Sequence, residues 1–177
     1  MTCIVGLVHE NMVYMGGDSA GACGWTVRSV QTRKVFKVQN FIIGYTSSFR
    51  MGEILQYHLK VEPQQEGQTD HEYMVCQFAE AVRKVLKEHG FAKVENNVEE
   101  GGDFLVGYKG HIYSVNSDFQ MTEHIDRYDA CGCGEEFALG AMMVTEGNAP
   151  AGRIEQALMA AAHFSGGVLP PFYVLSE

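Results

Sequence analysis

TCIVGLVHENMVYMGGD, residues 2–18, is the stretch on which the reading of this chain turns. Two apolar, partly β-branched runs, residues 3–9 and 12–17, flank Glu10-Asn11, and that pattern predicts a β-hairpin. The stretch is not a secretory signal, because it has no basic leading segment and its apolar run meets His9 and Glu10 too soon. What stands out is its first residue. Initiator methionine is normally removed before a small residue, so Met1 is expected to be lost and Thr2 to become the N-terminus. Such a threonine carries a nucleophilic hydroxyl beside an α-amine of reference pKa about 7.7–8.0, which can accept the hydroxyl proton near neutrality. Small residues after methionine are common, however, and Thr2 alone assigns nothing.

Lys34 adds the second observation. In RKVFKV, residues 33–38, the two-residue period of a strand places Lys34, Phe36 and Val38 on one face. An ammonium buried beside an aromatic and a valine needs a carboxylate to keep it charged. Asp18, at the end of the first hairpin, is the candidate. The alternative is a lysine turned to solvent with Arg33 and Lys37.

Outward from these residues, the chain of 177 residues and 19.6 kDa is long enough for one domain with a substantial core. A net charge of −9 and a pI near 5.2 argue against a phosphate-backbone footprint, so no nucleic-acid partner is expected. No apolar run approaches the roughly 18 residues of a membrane helix, and no membrane partner is expected either. Five cysteines, an odd number, without a signal peptide suggest free thiols in a reducing, cytoplasmic setting. There is no internal repeat, and the polar residues 62–70 read as a surface loop.

Further along, residues 33–38 and 41–45 form a second strand pair around Gln39-Asn40. The period then changes: Met51, Ile54, Leu55, His58 and Leu59 fall at helical spacing, as do Val75, Phe78, Ala79, Val82 and Leu86, with Asp70 as expected N-cap and Gly90 as stop. Lys109-Gly110 marks a hairpin between residues 104–108 and 111–115. A helix should follow Gly134, another should span residues 153–163 with Ile154, Ala157, Leu158 and Ala161 on one face, and FYVLS should close the chain as a strand. Strand blocks alternating with helix pairs indicate an α+β fold of antiparallel sheets with helices outside.

With TCIVGL, GGDSAGA and RKVFKV in hand, the chain resembles the N-terminal nucleophile hydrolases of the proteasome β-subunit and HslV type. In that family an N-terminal threonine leads a hairpin ending in a small residue and aspartate, followed by a strand that begins with lysine. The resemblance makes Thr2 the nucleophile and assigns the supporting pair to Asp18 and Lys34. It extends to IIGYTSSFRMGEIL, DFLVGYKGHIYSV and CGCGEEFALGAM. It implies a four-layer αββα sandwich over residues 1–177, threonine endopeptidase activity without a cofactor, a homo-oligomeric ring around the sites, peptide or unfolded-protein substrates, and an AAA+ ATPase partner. Ser48 takes the place of a glycine whose backbone N–H serves the oxyanion, and serine keeps that donor. Cys133 stands where the family has a serine near the nucleophile. Ser165 matches a late serine, although Ala162 replaces the acidic residue expected three positions before it. Gly21, Thr32, Phe36, Thr46 and Arg50 correspond to the pocket for the residue before the cut, and Arg50 suits an acidic or polar side chain there. Two other readings remain at this level: an amidase of the same class acting on small amides, and a catalytically silent ring subunit.

Remaining motifs read blandly. Cys131-Gly-Cys133 lacks the second pair of ligands that zinc requires. The seven histidines are scattered without HExxH spacing, and Gly16-Gly17 with Gly21 completes no nucleotide loop. Met142-Met143 reads as core or subunit contact.

Overall fold

The computed structural model describes residues 1–95 and 97–177. The first hairpin consists of β1 (Ile4–His9) and β2 (Met12–Gly17), with Ile4 opposite Gly17 and His9 opposite Met12. Glu10 and Asn11 have φ of 49° and 61°, the pair of positive values that a two-residue turn needs to match strand twist. A short hairpin follows, β3 (Ala20–Cys23) and β4 (Thr26–Ser29), and then the expected second pair, β5 (Val35–Val38) and β6 (Phe41–Tyr45). Helix α1 (Phe49–His58) leads to α2 (Asp70–Tyr73), which runs through a π turn at Met74–Phe78 into α3 (Ala79–Glu88). The strands β7 (Lys93–Glu95) and β8 (Val98–Glu100) pair with each other. The hairpin β9 (Phe104–Tyr108) and β10 (His111–Val115) turns at Lys109-Gly110 as the sequence indicates. Last come β11 (Met121–Glu123), β12 (Tyr128–Cys131), α4 (Glu135–Val144), α5 (Pro150–Phe164) and β13 (Tyr173–Ser176).

These strands build two main antiparallel sheets, one in the order β12-β1-β2-β13 and one in the order β11-β10-β9-β6-β5. The period of two along β1 sorts its side chains between two environments. Ile4 and Val8 join Val13, Met15, Val35, Ile42, Leu105 and Ile112, a cluster drawn from both sheets. Cys3, Val5 and Leu7 instead meet Ala138, Met142, Ile154, Ala157, Leu158 and Ala161 of α4 and α5. Both faces of β1 are thus buried, which is why its sequence is a continuous apolar run rather than an alternation. On the other sheet Ile43, Tyr45, Phe104, Val106, Tyr108 and Tyr113 pack with Met51, Ile54, Leu55, Phe78, Val82 and Leu86. Each such buried aliphatic or aromatic side chain contributes about 1.5–3 kcal/mol. Close approach has a requirement: a Cβ on Gly44 would stand 2.5 Å from Ile4 Cγ2 and 2.8 Å from Met15 Sδ, so only glycine lets β6 lie this near the first hairpin.

Several expectations are corrected. Val75 is 44% exposed instead of sharing the face of Phe78 and Val82, because the π turn unwinds the helix at that point and brings Tyr73 and Met74 inward. The helix cap is Thr69, whose Oγ1 accepts from Glu72 N at 3.2 Å, while Asp70 is already helical. The last helix starts earlier than residue 153, with Pro150 at its first position. Met142, by contrast, is core as expected, and Met143 is 71% exposed on the single chain. No described helix is long and apolar enough to cross a membrane.

Candidate active site

The hairpin places Thr2 and Asp18 side by side. Since Ile4 faces Gly17, the next step toward the chain start faces Asp18, and Asp18 N donates to Cys3 O at 3.3 Å. The Asp18 carboxylate turns inward and accepts from four donors: Cys3 N at 3.0 Å and Lys34 Nζ at 2.8 Å on Oδ1, Ala20 N at 2.7 Å and Leu169 N at 3.3 Å on Oδ2. Lys34 lies just ahead of β5, where its carbonyl accepts from Tyr45 N at 3.0 Å. Its ammonium donates to Thr2 Oγ1 at 2.9 Å as well as to Asp18. All three residues are buried, Thr2 with 5%, Asp18 with 1% and Lys34 with 2% of its surface exposed. Of the two sequence readings of Lys34, the structure has the buried one. Burial pushes the Lys34 pKa down, and the adjacent Asp18 carboxylate opposes that shift.

Around Thr2 N a second group assembles. Thr2 N donates to Cys133 Sγ at 3.3 Å, and Cys133 Sγ is 3.3 Å from Ser165 Oγ. Cys133 sits in the loop before α4, held by Gly132, whose φ of +100° suits glycine. A Cβ there would lie 2.4 Å from Thr2 O, so the loop could not otherwise approach the first residues. The Thr2 hydroxyl also donates to the carbonyl of Met1.

A cleft of about 120 Å³ opens beside these atoms, lined by Met1, Thr2, Ala22, Lys34, Thr46 and Ser48 together with Tyr45, Ser47 and Phe49. Ser48 caps α1 through its hydroxyl, which accepts from Arg50 N at 3.1 Å. Its own N–H donates to Thr46 O at 2.7 Å, closing a tight turn over Ser47 at φ 65°. Of the five residues assigned to a specificity pocket, Thr46 lines this cleft. Phe36 is 5% exposed within the aromatic cluster around Tyr45; Gly21 is half-buried in β3; Thr32 and Arg50 are exposed. A larger hollow of about 470 Å³ lies along β10 and β11 and contains none of the Thr2, Asp18 and Lys34 set, so size does not mark the chemistry here.

Sequence reasoning did not find the backbone donors to Asp18. Ala20 was accessible to it, because an aspartate commonly bonds the backbone two residues on. Leu169 had no local signal. Among the described residues all five cysteines are free and no group of three His, Cys, Asp or Glu is placed for a metal ion.

No protein-family model matches this chain, and no curated protein matches it. Solved structures do. Thiobacillus denitrificans BPH in complex with epoxomicin superposes with a TM-score of 0.82 at 21% identity, over 99% of this chain and 98% of that one. The same protein in a second structure gives 0.80 at 20% identity, over 99% and 97%. Eukaryotic HslV from Trypanosoma brucei gives 0.72 at 17% identity, over 99% and 98%. At such identities it is the backbone arrangement that is shared: the chain has the HslV-like fold of the proteasome type, mixed α/β with antiparallel sheets.

Proposed function

We propose that the chain is a threonine endopeptidase acting on peptides or unfolded proteins. The observation that carries the reading is the buried Lys34 ammonium, 2.9 Å from Thr2 Oγ1 and 2.8 Å from Asp18 Oδ1. Loss of Met1 frees the Thr2 amine. The amine takes the hydroxyl proton through a water while Oγ1 attacks the peptide carbonyl, and Lys34 stabilises the developing negative charge. Asp18 orients Lys34. The Ser48 N–H serves the oxyanion once the turn over Ser47 opens and releases Thr46 O. Collapse of the tetrahedral intermediate expels the amine product, and water hydrolyses the ester left on Thr2. Cys133 and Ser165 hold the Thr2 amine. Gly21, Thr32, Phe36, Thr46 and Arg50 select the residue before the cut.

The same reading includes a helix–sheet–sheet–helix sandwich forming one domain over residues 1–177, a homo-oligomeric ring with the sites inside, an AAA+ ATPase that delivers unfolded chains, and a cytoplasmic location. Likeness to BPH and HslV supports it.

The deciding experiment concerns Met1. In the unprocessed chain Thr2 N is an amide whose lone pair is delocalised, so it cannot act as a base. Active protein should show the mass of the chain lacking one methionine, and protein blocked ahead of Thr2 should be inert. Thr2→Ser should keep part of the rate and Thr2→Ala none. Epoxomicin, found with the Thiobacillus denitrificans BPH neighbour, should bind the processed chain and not Thr2→Ala. Robust hydrolysis by protein that retains Met1 would overturn the mechanism, and particles no larger than dimers by negative-stain imaging would remove the ring.

A further inference from the structure

We infer that, given the Thr2 reading above, a second hollow of about 420 Å³ adjoining the Thr2 cleft is a substrate subsite for a lysine or arginine side chain. Thr46 belongs to the walls of both spaces, so they meet at this residue. Beyond it the wall of the hollow continues through Gly132. A Cβ on Gly132 would stand 3.2 Å from Thr46 Oγ1 and 2.4 Å from Thr2 O, so the hollow reaches the residue that carries the proposed nucleophile. Its volume lies in the range of spaces that hold small ligands. A peptide seated at Thr2 can therefore place one residue in the smaller cleft and another here.

The charge of the wall has one sign. Asp103, Asp129 and Glu135 stand in it, and no lysine or arginine does. The larger hollow along β10 and β11 differs, since Lys109 and Arg127 offset its acidic residues. Two polar groups of the smaller hollow also wait for a donor. Thr46 is 6% exposed, and its hydroxyl has no hydrogen-bond partner among the described residues. A buried polar group left in that state costs stability, which a ligand N–H would recover. The Asp103 carboxylate is likewise without a partner among the described residues. Asp129, by contrast, accepts from Ser114 Oγ and from Ala130 N at 2.8 Å, and Glu135 accepts from Gly132 N at 3.0 Å.

The shape of the ligand follows from the rest of the wall. Phe104, Val115 and Leu139 give it an apolar part, which suits the methylene stem of a long side chain whose cationic head reaches the carboxylates. Among the described residues no three carboxylate, histidine or cysteine side chains are gathered closely enough for a metal ion, so a bare cation fits this wall less well than an extended one. The sign is opposite to that of Arg50 at the pocket for the residue before the cut. The two spaces therefore read different residues of one peptide.

The test uses the full chain lacking Met1 and internally quenched peptides in which one lysine is moved position by position along a neutral sequence, with norleucine and glutamate as its replacements. At a position other than the one before the cut, lysine should raise kcat/KM about tenfold over norleucine, the effect of one hydrogen bond to a charged group. Arginine should do the same and glutamate the opposite. Potassium chloride should shrink the advantage by screening. Asp103→Asn should bring the ratio of lysine to norleucine close to one, and Thr46→Val should lower it. No lysine preference, a preference confined to the residue before the cut, or a ratio unmoved by Asp103→Asn would overturn the subsite. Failure of the Thr2 reading is separate: it shows as no hydrolysis of any peptide in the set. Binding then decides. By fluorescence anisotropy with Thr2→Ala, the lysine peptide should bind about tenfold more tightly than its norleucine counterpart and lose that margin when Asp103→Asn is added. Equal binding of the two peptides would overturn the subsite.

Discussion

Two sets of ion pairs in this molecule have the same chemistry and nearly the same lengths, and opposite settings. Lys34 and Asp18 meet at 2.8 Å with side chains 1% and 0% exposed. On the outer surface of α3, Arg83 meets Glu80 at 2.8 Å and Glu99 at 2.7 Å, and Lys87 meets Glu99 at 2.6 Å, with side chains between 21% and 62% exposed. Water and salt screen the surface network, and long side chains lose entropy in forming it. The inner pair has no such competitor. Its carboxylate is also held by the N–H groups of Cys3, Ala20 and Leu169, so removing one partner leaves charge and donors stranded in a dry place. Distance therefore does not reveal which pair matters. The burial does, together with the third group that the inner lysine touches, Thr2 Oγ1.

The largest effect expected from this contrast is on turnover. Lys34→Met should lower peptide hydrolysis by about 10³-fold, within the span of removing one positioned proton-handling or charge-stabilising group. The fold should survive, because Asp18 keeps its three backbone donors. A near-normal rate with a normal melt would break the assignment of Lys34.

Asp18→Ala should be the most costly change for stability. It strands the Lys34 ammonium and three N–H groups at once, and a loss of about 3–5 kcal/mol is expected from urea denaturation. A loss equal to that of a surface charge would erase the distinction between the two sets.

pH sharpens the comparison further. Burial holds the folded-state pKa of Lys34 below the ordinary 10.5, so between those values the unfolded chain binds more protons than the folded one. Stability contributed through this group therefore rises with pH across that window. Measured as a difference from Lys34→Met, folding stability should climb toward pH 10.5. Hydrolysis should fall over the same window as the ammonium is lost. Parallel slopes would contradict a charged Lys34 in the mechanism.

Smallest of all should be Glu99→Gln. Arg83 keeps Glu80, and neither the melting midpoint nor the hydrolysis rate should move beyond experimental error. A shift as large as that of Asp18→Ala would show that the surface network is stabilising after all.

Much of the candidate site was legible because it lies on local structure. Thr2 and Asp18 stand at the open end of a hairpin whose turn, Glu10-Asn11, is written in the sequence, and the hairpin register follows from the two-residue loop. Lys34 was legible only as a choice between two faces. The β3–β4 hairpin, with Ala-Gly-Ala-Cys as its first strand, had too little β-propensity to be recognised, although Ala22 lines the cleft. Val75 was misplaced because a π turn leaves no mark in a periodicity of 3.6.

By itself, then, the order of residues determined the first hairpin, the β9–β10 hairpin, the helical stretches and the candidate nucleophile, since each depends on neighbours a few positions apart. Only the tertiary structure decided that Lys34 turns inward to both Asp18 and Thr2, that Leu169 reaches back to the same carboxylate, and that Cys133 meets Thr2 N with Ser165 against its sulfur. The reason is physical: those contacts join segments far apart in the chain, and they form because the apolar faces of two sheets and their helices close on one another, a packing term that local propensity does not carry.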